Sequence, residues 1–282
     1  MQPEQHKYTM AGSTKPMHEL NYGNQLRGKG SQSHTKRKML SPIAVGTCAA
    51  IGAVGLAAGG YAYAASWPGS DLFGRALRAP RRAGEIALTF DDGPNPAWTP
   101  KLLDVLAEYD VKGTFFMLGA RAQAQPQLVK RIAAAGHLIG NHSWSHPNLA
   151  YTSAAKVRDE LVRTKDVLEQ MIGCPVRFFR PPFGARRPVV FRIAWELGMT
   201  VVLWNAMTSD WSEPSEDHIA KVLMKTIDEN ERRGSAVNIV LHDGGHREPE
   251  AMRAPSVAAA GMLVAKYIET HKFVTLDQWP KD

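Results

Sequence analysis

From residue 85 onward, short apolar runs alternate with longer amphipathic segments along the chain. The short runs are rich in β-branched and aromatic residues and predict seven strands, at Glu85 to Phe90, Thr114 to Leu118, His137 to Gly140, Arg177 to Phe179, Thr200 to Trp204, Asn238 to Leu241 and Phe273 to Leu276. Six helices are predicted between them, near residues 100–109, 126–135, 153–171, 188–197, 216–232 and 255–270. Successive strand–helix units favour a parallel sheet, so we expect an α/β fold, a distorted or incomplete (β/α)7 barrel. An open doubly wound sheet is the alternative.

The first 83 residues lack this alternation. Residues 1–42 are polar and basic, which is typical of a disordered tail. Residues 43–65 form a run of 23 residues without a charge, long enough to cross a membrane, and predict a transmembrane or cleaved signal segment. A buried soluble helix is a third interpretation of this run. Residues 66–83 are interpreted as a linker, and residues 84–282 as one folded domain.

The basic charge of the chain is concentrated near its N-terminus. The whole chain carries a net charge of +7, with +5 in residues 1–42, +3 in residues 43–82 and −1 in the rest. The predicted domain is therefore close to neutral, and we expect no nucleic-acid partner. Basic residues 36–38 precede the apolar run, which favours an N-terminus inside the cell and a main domain outside it.

Polar side chains stand where the predicted strands end, and the carboxyl ends of parallel strands share one rim of a barrel. Those side chains belong to Asp91 and Asp92, His142 and His146, Arg180, Asp210 and Trp211, and His242 and Asp243. Residues 91–94 taken alone make an ordinary turn sequence. Two adjacent carboxylates nevertheless allow one to bind a cation while the other acts as a base. We therefore expect these groups to meet at one site.

His142 and His146 are four residues apart, a spacing found in divalent-metal sites, although a pair at this spacing is often a surface coincidence. Pro147 disfavours helical geometry at His146, so a short turn is expected there. With Asp92, the pair offers two nitrogen ligands and one oxygen ligand and leaves positions open for water and substrate. This donor set suits one divalent metal ion, Zn²⁺ first, with Co²⁺ or Fe²⁺ as alternatives.

Two further residues invite a chemical interpretation beside a simpler one. Arg180 precedes two prolines, which hold its guanidinium stiffly for a carboxylate such as Asp91, although a Pro-Pro turn is the simpler interpretation. His242 ends an apolar strand and could donate a proton, although a structural role is common for a single histidine.

In three of these segments the chain resembles the polysaccharide deacetylases, carbohydrate esterase family 4, with their NodB homology domain. Thr89 to Pro94 matches the family motif TFDDGP, His142 to His146 matches H-S-x-x-H, and Arg180 to Gly184 matches R-x-P-[YF]-G. The resemblance covers about residues 84 to 278. It implies that Asp92, His142 and His146 bind the metal, and that Asp91 is a general base oriented by Arg180.

The resemblance also implies roles on the other side of the site. His242 would be the general acid, tuned by Asp210, the main-chain N–H of Phe183 would help to hold an oxyanion, and Trp211 would wall the substrate groove. The chain departs from the family at two points, which bear on the shape and polarity of that groove. Residues 207–211 keep only the second Asp and the Trp of the motif D-x-x-D-W, and Val240 replaces the usual Leu.

These expectations define a leading hypothesis and its alternatives. The leading hypothesis is a metal-dependent hydrolase, membrane-anchored or exported, that removes N-acetyl groups from N-acetylglucosamine-containing glycans, either peptidoglycan or chitin-like oligosaccharides. On the same fold, an O-acetyl xylan esterase and a deformylase of a lipid-linked sugar are alternatives. A carbohydrate-binding pseudoenzyme is the alternative from another class.

Overall fold

A computed structural model describes residues 42–212 and 215–280, with the backbone alone for residues 42–50 and 52. The predicted tail lies outside these residues, apart from residue 42. The strands are β1 Glu85–Gly93, β2 Thr114–Met117, β3 Leu138–Asn141, β4 Phe178–Phe179, β5 Thr200–Val201, β6 Ala206–Met207, β7 Val237–His242 and β8 Lys272–Phe273. The helices are α1 Pro42–Ser66, α2 Thr99–Glu108, α3 Gly119–Ala124, α4 Pro126–Ala134, α5 Ala154–Ile172, α6 Pro188–Glu196, α7 Glu216–Arg232 and α8 Ala254–Tyr267.

The strands form one parallel sheet in the order β5-β4-β3-β2-β1-β7-β6, and β8 pairs with the beginning of β1. In the part of the chain that the structure describes, β5 and β6 end this order and do not pair with each other. The sheet is therefore a curled, unclosed barrel, which confirms the predicted incomplete (β/α)7 fold. Strand β6 and helix α3 were not predicted, because two strand residues and six helix residues are too few to show a periodicity.

The sheet is covered by helices, and this explains the composition of its central strands. Phe90 on β1 and Phe115 and Phe116 on β2 are all buried, as expected for a parallel sheet with no solvent-facing side. Local signals set the ends of α5, the longest of the covering helices. The Ser153 hydroxyl accepts a hydrogen bond from the N–H of Lys156 at its start, and Gly173 ends it in a left-handed conformation.

The apolar run of the N-terminal part lies in α1. Among the described residues, no helix is long and apolar enough to span a membrane, so the predicted transmembrane segment at residues 43–65 is not supported. The last turns of α1 pack instead on the domain. Ala64 and Ala65 are buried, and the Tyr61 hydroxyl lies 3.4 Å from the Ala150 carbonyl oxygen.

Residues 66–83, interpreted as a linker, also contact the domain. The buried Arg186 side chain donates hydrogen bonds to the carbonyl oxygens of Trp67 and Ser70, and Leu77 forms a parallel bridge with Val202 beside β5. Residues 50–282 form one compact unit. The folded part of the chain therefore begins before residue 84.

Candidate active site

Two adjacent carboxylates end β1, and the local backbone brings both to the site. Side chains of successive strand residues normally point to opposite faces. Here the pairing of β1 with β2 shifts between Asp91 and Gly93, so Asp92 is the extra residue of a bulge and has a φ of 69°. On the other side, the register of β1 with β7 puts His242 beside Asp91. The sheet thus joins residues that are far apart in the sequence.

Asp91 forms a buried ion pair with Arg180. The distance from the Asp91 Oδ1 to the Arg180 Nη1 is 2.8 Å, and both side chains are almost fully inaccessible to solvent. The same nitrogen donates to the Thr89 hydroxyl at 2.7 Å, and the guanidinium lies 4.2 Å above the ring of Phe116. Arg180 therefore pairs with Asp91 through one nitrogen and fixes the orientation of its carboxylate.

Imidazoles surround the carboxylate of Asp92. Its Oδ1 lies 3.5 Å from the Nε2 of His142 and 3.2 Å from the Nε2 of His146, and its Oδ2 lies 3.5 Å from the Nδ1 of His246. The Nδ1 of His142 lies 2.8 Å from the Arg180 carbonyl oxygen, which orients that ring. His146 lies in an irregular loop, in agreement with the turn expected before Pro147.

The electrostatics of this cluster suit a cation. Burial alone would raise the pKa of Asp92, but the contacts with His246, His146 and His142 outweigh it and hold the pKa well below its usual range. Burial, only partly opposed by Asp92, lowers the pKa of His146 to about 3, so this imidazole is neutral, as a metal ligand must be. The Oδ1 of Asp92 is buried and has no hydrogen-bond partner. A buried carboxylate oxygen without a hydrogen-bond partner, facing two imidazole nitrogens, fits a divalent ion with a preference for N and O ligands.

The partly buried His242 and the buried Asp210 form a second pair on the opposite side. The His242 Nδ1 lies 2.8 Å from one carboxylate oxygen of Asp210, and the His242 main-chain N–H donates to the other oxygen at 2.8 Å. The Ser256 hydroxyl also donates to Asp210, at 2.7 Å. Although burial acts in the other direction, the Asp210 carboxylate raises the pKa of His242 to about 9. Asp210 thus favours the protonated form of His242.

A pocket of about 290 Å³ opens above these groups. Aromatic side chains line it, among them Trp204, the half-exposed Phe183 and the half-exposed Trp211. The Trp211 ring lies edge-on to His242 at 5.2 Å, and the Phe183 ring lies edge-on to His146 at 4.5 Å. The pocket therefore has apolar walls and a polar floor.

Backbone strain is concentrated around this pocket. Among the described residues, five that are not glycine have a positive φ, and four of these are Asp92, Ser143, His146 and Phe183. This conformation is unfavourable in free energy for residues other than glycine, and it persists only where surrounding contacts stabilise it. Such residues cluster at functional sites. A positive φ at His146 also explains how the two histidines face one carboxylate without a helix.

The sequence analysis missed three residues of the site. His246 was overlooked because it follows two glycines in a loop with no periodicity, although an imidazole four residues after His242 was a usable signal. Trp204 lines the pocket, and Ser256 contacts Asp210 from α8. Trp204 and Ser256 lie in segments that carry no sequence motif, so nothing in the sequence indicates that they contact the site.

Comparison with known proteins identifies the family. Residues 78–202 match the family model described as polysaccharide deacetylase. A chitooligosaccharide deacetylase of Sinorhizobium fredii is 38% identical over 175 residues, which are 60% of this chain and 78% of that protein. The chain belongs to the polysaccharide deacetylase family.

Two further relatives show the range of this family. A peptidoglycan-N-acetylglucosamine deacetylase of Bacillus cereus is 39% identical over 176 residues, and the match spans 62% of each chain. The crystal structure of BA3943, a carbohydrate esterase family 4 pseudoenzyme from Bacillus anthracis, superposes with a TM-score of 0.64 at 25% identity, covering 72% of this chain and 69% of that one. Members of the polysaccharide deacetylase family thus include named enzymes and a named pseudoenzyme.

The two departures from the family motifs both lie in the pocket. Met207, which stands where the family has an aspartate, is 40% exposed, and Val240 is buried in the strand before His242. Among the described residues, neither Met207 nor Val240 forms a hydrogen bond with the Asp91–Arg180 pair or with the Asp210 carboxylate. Both side chains line the pocket, where they stand in place of the aspartate and the leucine of the family motifs.

Proposed function

We propose that this polysaccharide deacetylase is a metal-dependent hydrolase that removes N-acetyl groups from N-acetylglucosamine-containing glycans, either peptidoglycan or chitin-like oligosaccharides. One observation carries the proposal. At the floor of one pocket, Asp92 and the imidazoles around it form a cluster suited to a cation. The Asp91–Arg180 pair lies on one side of this cluster, and the His242–Asp210 pair lies on the other. Amide hydrolysis needs this combination of a base, an acid and an electrophilic centre.

Each side chain then has a defined task. Asp92, His142 and His146 would hold the ion, and Zn²⁺ suits these ligands best among the common metals, ahead of Co²⁺ and Fe²⁺. A divalent ion held there supplies Lewis-acid chemistry, which makes water more acidic and polarises an acyl carbonyl. Asp91, oriented by Arg180 at 2.8 Å, takes the proton of the attacking water.

The leaving amine requires a proton from the other side. His242 is partly buried beside Asp210, whose carboxylate favours the protonated imidazole, and it lines the pocket, so it donates to the sugar nitrogen as the C–N bond breaks. The main-chain N–H of Phe183 assists in holding the oxyanion. The exposed ring of Trp211 forms a wall against which the apolar face of a sugar ring stacks.

A carbohydrate-binding pseudoenzyme is the second candidate, because a solved structure of this fold is described as a carbohydrate esterase family 4 pseudoenzyme. The retained ion pairs argue against it here. A binding site does not need a buried Arg180–Asp91 pair, whose desolvation is costly, and it does not need a histidine whose pKa is raised to about 9.

Acetate release decides between these candidates. We expect the purified chain to release acetate from chitooligosaccharides or from peptidoglycan, to lose this activity when a chelator removes the ion, and to regain it on addition of Zn²⁺ or Co²⁺. O-acetylated xylan serves as the matched substrate with an ester in place of the amide. Release from xylan alone would indicate an esterase, and binding of glycans without any release would indicate a pseudoenzyme.

We propose that the domain acts outside the cytoplasm, where such glycans lie, and that the apolar residues 43–65 direct its export. A reporter that is active only outside the cytoplasm, fused after Asp282, is expected to be active in the full chain. A charged residue in the apolar run, as in Leu56→Lys, should abolish that activity, because the cost of moving a charge into an apolar phase opposes insertion. Equal activity of a cytoplasm-only reporter would contradict the proposal.

A further inference from the structure

His246 is the one imidazole of the pocket to which neither the family motifs nor the proposed reaction gives a task. Its Nδ1 lies 3.5 Å from the Oδ2 of Asp92. Its ring stacks on that of His146, with 4.4 Å between the ring centres and 17° between the planes. In the described part of the chain, Asp92, His146 and His246 form the set of ligand-bearing residues whose donor atoms all lie within 4.8 Å of one another.

The loop that carries His246 is held in place by its backbone. A Cβ on Gly244 would lie 2.2 Å from the Asp92 carbonyl oxygen, so only glycine permits this close approach. The buried Arg253 donates a hydrogen bond to the Gly244 carbonyl oxygen at 2.7 Å. Arg121 donates to the Gly245 carbonyl oxygen at 3.3 Å. The position of His246 next to Asp92 is therefore built by the fold.

The two carboxylate oxygens of Asp92 face different histidines. Its Oδ1, which faces His142 and His146, is buried without a hydrogen-bond partner, and its Oδ2 faces His246. Carboxylate oxygens and imidazole nitrogens are both zinc ligands, so this grouping fits a metal centre with several nitrogen ligands. Stacking alone would not require a nitrogen of His246 to face the carboxylate.

We propose that His246 is a fourth protein ligand of the ion in the substrate-free protein, bound through its Nδ1. This inference rests on the metal site of the proposed function. A catalytic ion needs an open coordination position, so with four protein ligands either one of them would be displaced by substrate or the ion would expand to five ligands. The His246 side chain is 34% exposed, against 3% for His142 and 6% for His146, and it is thus the ligand free to move into solvent.

Metal affinity and the visible spectrum of the Co²⁺ form test this assignment. Wild type should bind one ion per chain, and His142→Ala should lose it. His246→Ala and His246→Phe should still bind one ion, with a dissociation constant raised at least about 10-fold in competition with a chromophoric chelator, since even the loss of an outer-shell partner has an effect of this size. Their Co²⁺ absorption bands should shift, because the number of nitrogen ligands falls. His218→Ala, which changes an exposed histidine on α7, should match wild type.

The two substitutions separate ligation from packing. Phenylalanine keeps an aromatic ring against His146 and removes the nitrogen, so an affinity within twofold of wild type and an unchanged Co²⁺ spectrum in His246→Phe would overturn the proposal. That result would leave acetate release by the wild-type protein intact. A wild-type chain that binds no ion and releases no acetate would instead contradict the proposed function itself.

Discussion

Asp91→Asn is expected to lower the kcat for acetate release by about 10²- to 10⁴-fold at every pH, the loss typical of removing a general base. The substitution keeps the shape of the side chain and its contact with Arg180, but an amide does not accept a proton from water. Metal content should stay at the wild-type level, because Asp92 and the histidines around it remain. The measurements are acetate release and metal analysis on the same preparations.

Two controls make this result interpretable. Asp104→Asn is the same change at an exposed aspartate, which pairs with Arg131 on the surface, and should leave kcat unchanged. Because Asp91→Asn leaves the Arg180 guanidinium buried without a charged partner, thermal unfolding must show that the variant is folded at the assay temperature. A folded Asp91→Asn protein with near-normal turnover, free of wild-type contamination, would mean that another group is the base.

Asp210→Asn is expected to move the basic limb of the kcat/KM profile to lower pH by about 1 to 3 units, the usual effect of an opposite charge at close range. His242 must be protonated to act as the acid. The Asp210 carboxylate, at 2.8 Å, favours its charged form, and the more distant charges of Asp92 and Asp91 act in the same direction. Without Asp210, burial of the imidazole dominates, and its proton is lost at a lower pH.

The test of this prediction is the difference between the pH profiles of wild type and Asp210→Asn. A divalent ion near His242 lowers the pKa of this residue in wild type and variant alike, so the shift between the profiles is the quantity to measure, at equal metal content and with chemistry limiting the rate. Ser256→Ala removes one hydrogen bond to Asp210 but keeps its charge, and should move the limb less. An unmoved limb in Asp210→Asn would show that His242 is not the titrating acid.

Much of the fold and several contacts of the site were predictable from local patterns. Hydrophobic periodicity is a property of neighbouring residues, so it located β1 to β5, β7 and β8 and six helices of the domain within a few residues. Parallel connectivity puts the ends of strands on one rim, which is why Asp91, Arg180 and His242 could be expected together. Their distances are then those of direct hydrogen bonds and ion pairs.

The N-terminal boundary was less predictable, because it depends on contacts between distant residues. Residues 66–83 carry turn-forming and basic residues that are typical of a linker. Their anchor is Arg186, more than a hundred positions away, which donates to the carbonyl oxygens of Trp67 and Ser70. No local sequence pattern predicts that these backbone groups accept hydrogen bonds from a buried guanidinium.

The amino-acid sequence was sufficient to predict the parallel sheet, because strands and helices follow from hydrophobic periodicity. It also predicted which rim of the sheet bears the polar side chains, from the chain connectivity, and which residue types surround Asp92, from the ligand preferences of metal ions. The three-dimensional arrangement was needed for the rest: the bulge that turns Asp92 beside Asp91, the positive φ of His146 that aims its ring, and the glycine loop that brings His246 against the same carboxylate. These features come from close packing of segments that are remote in the sequence. The energy of such contacts is not encoded in the local pattern of any one segment.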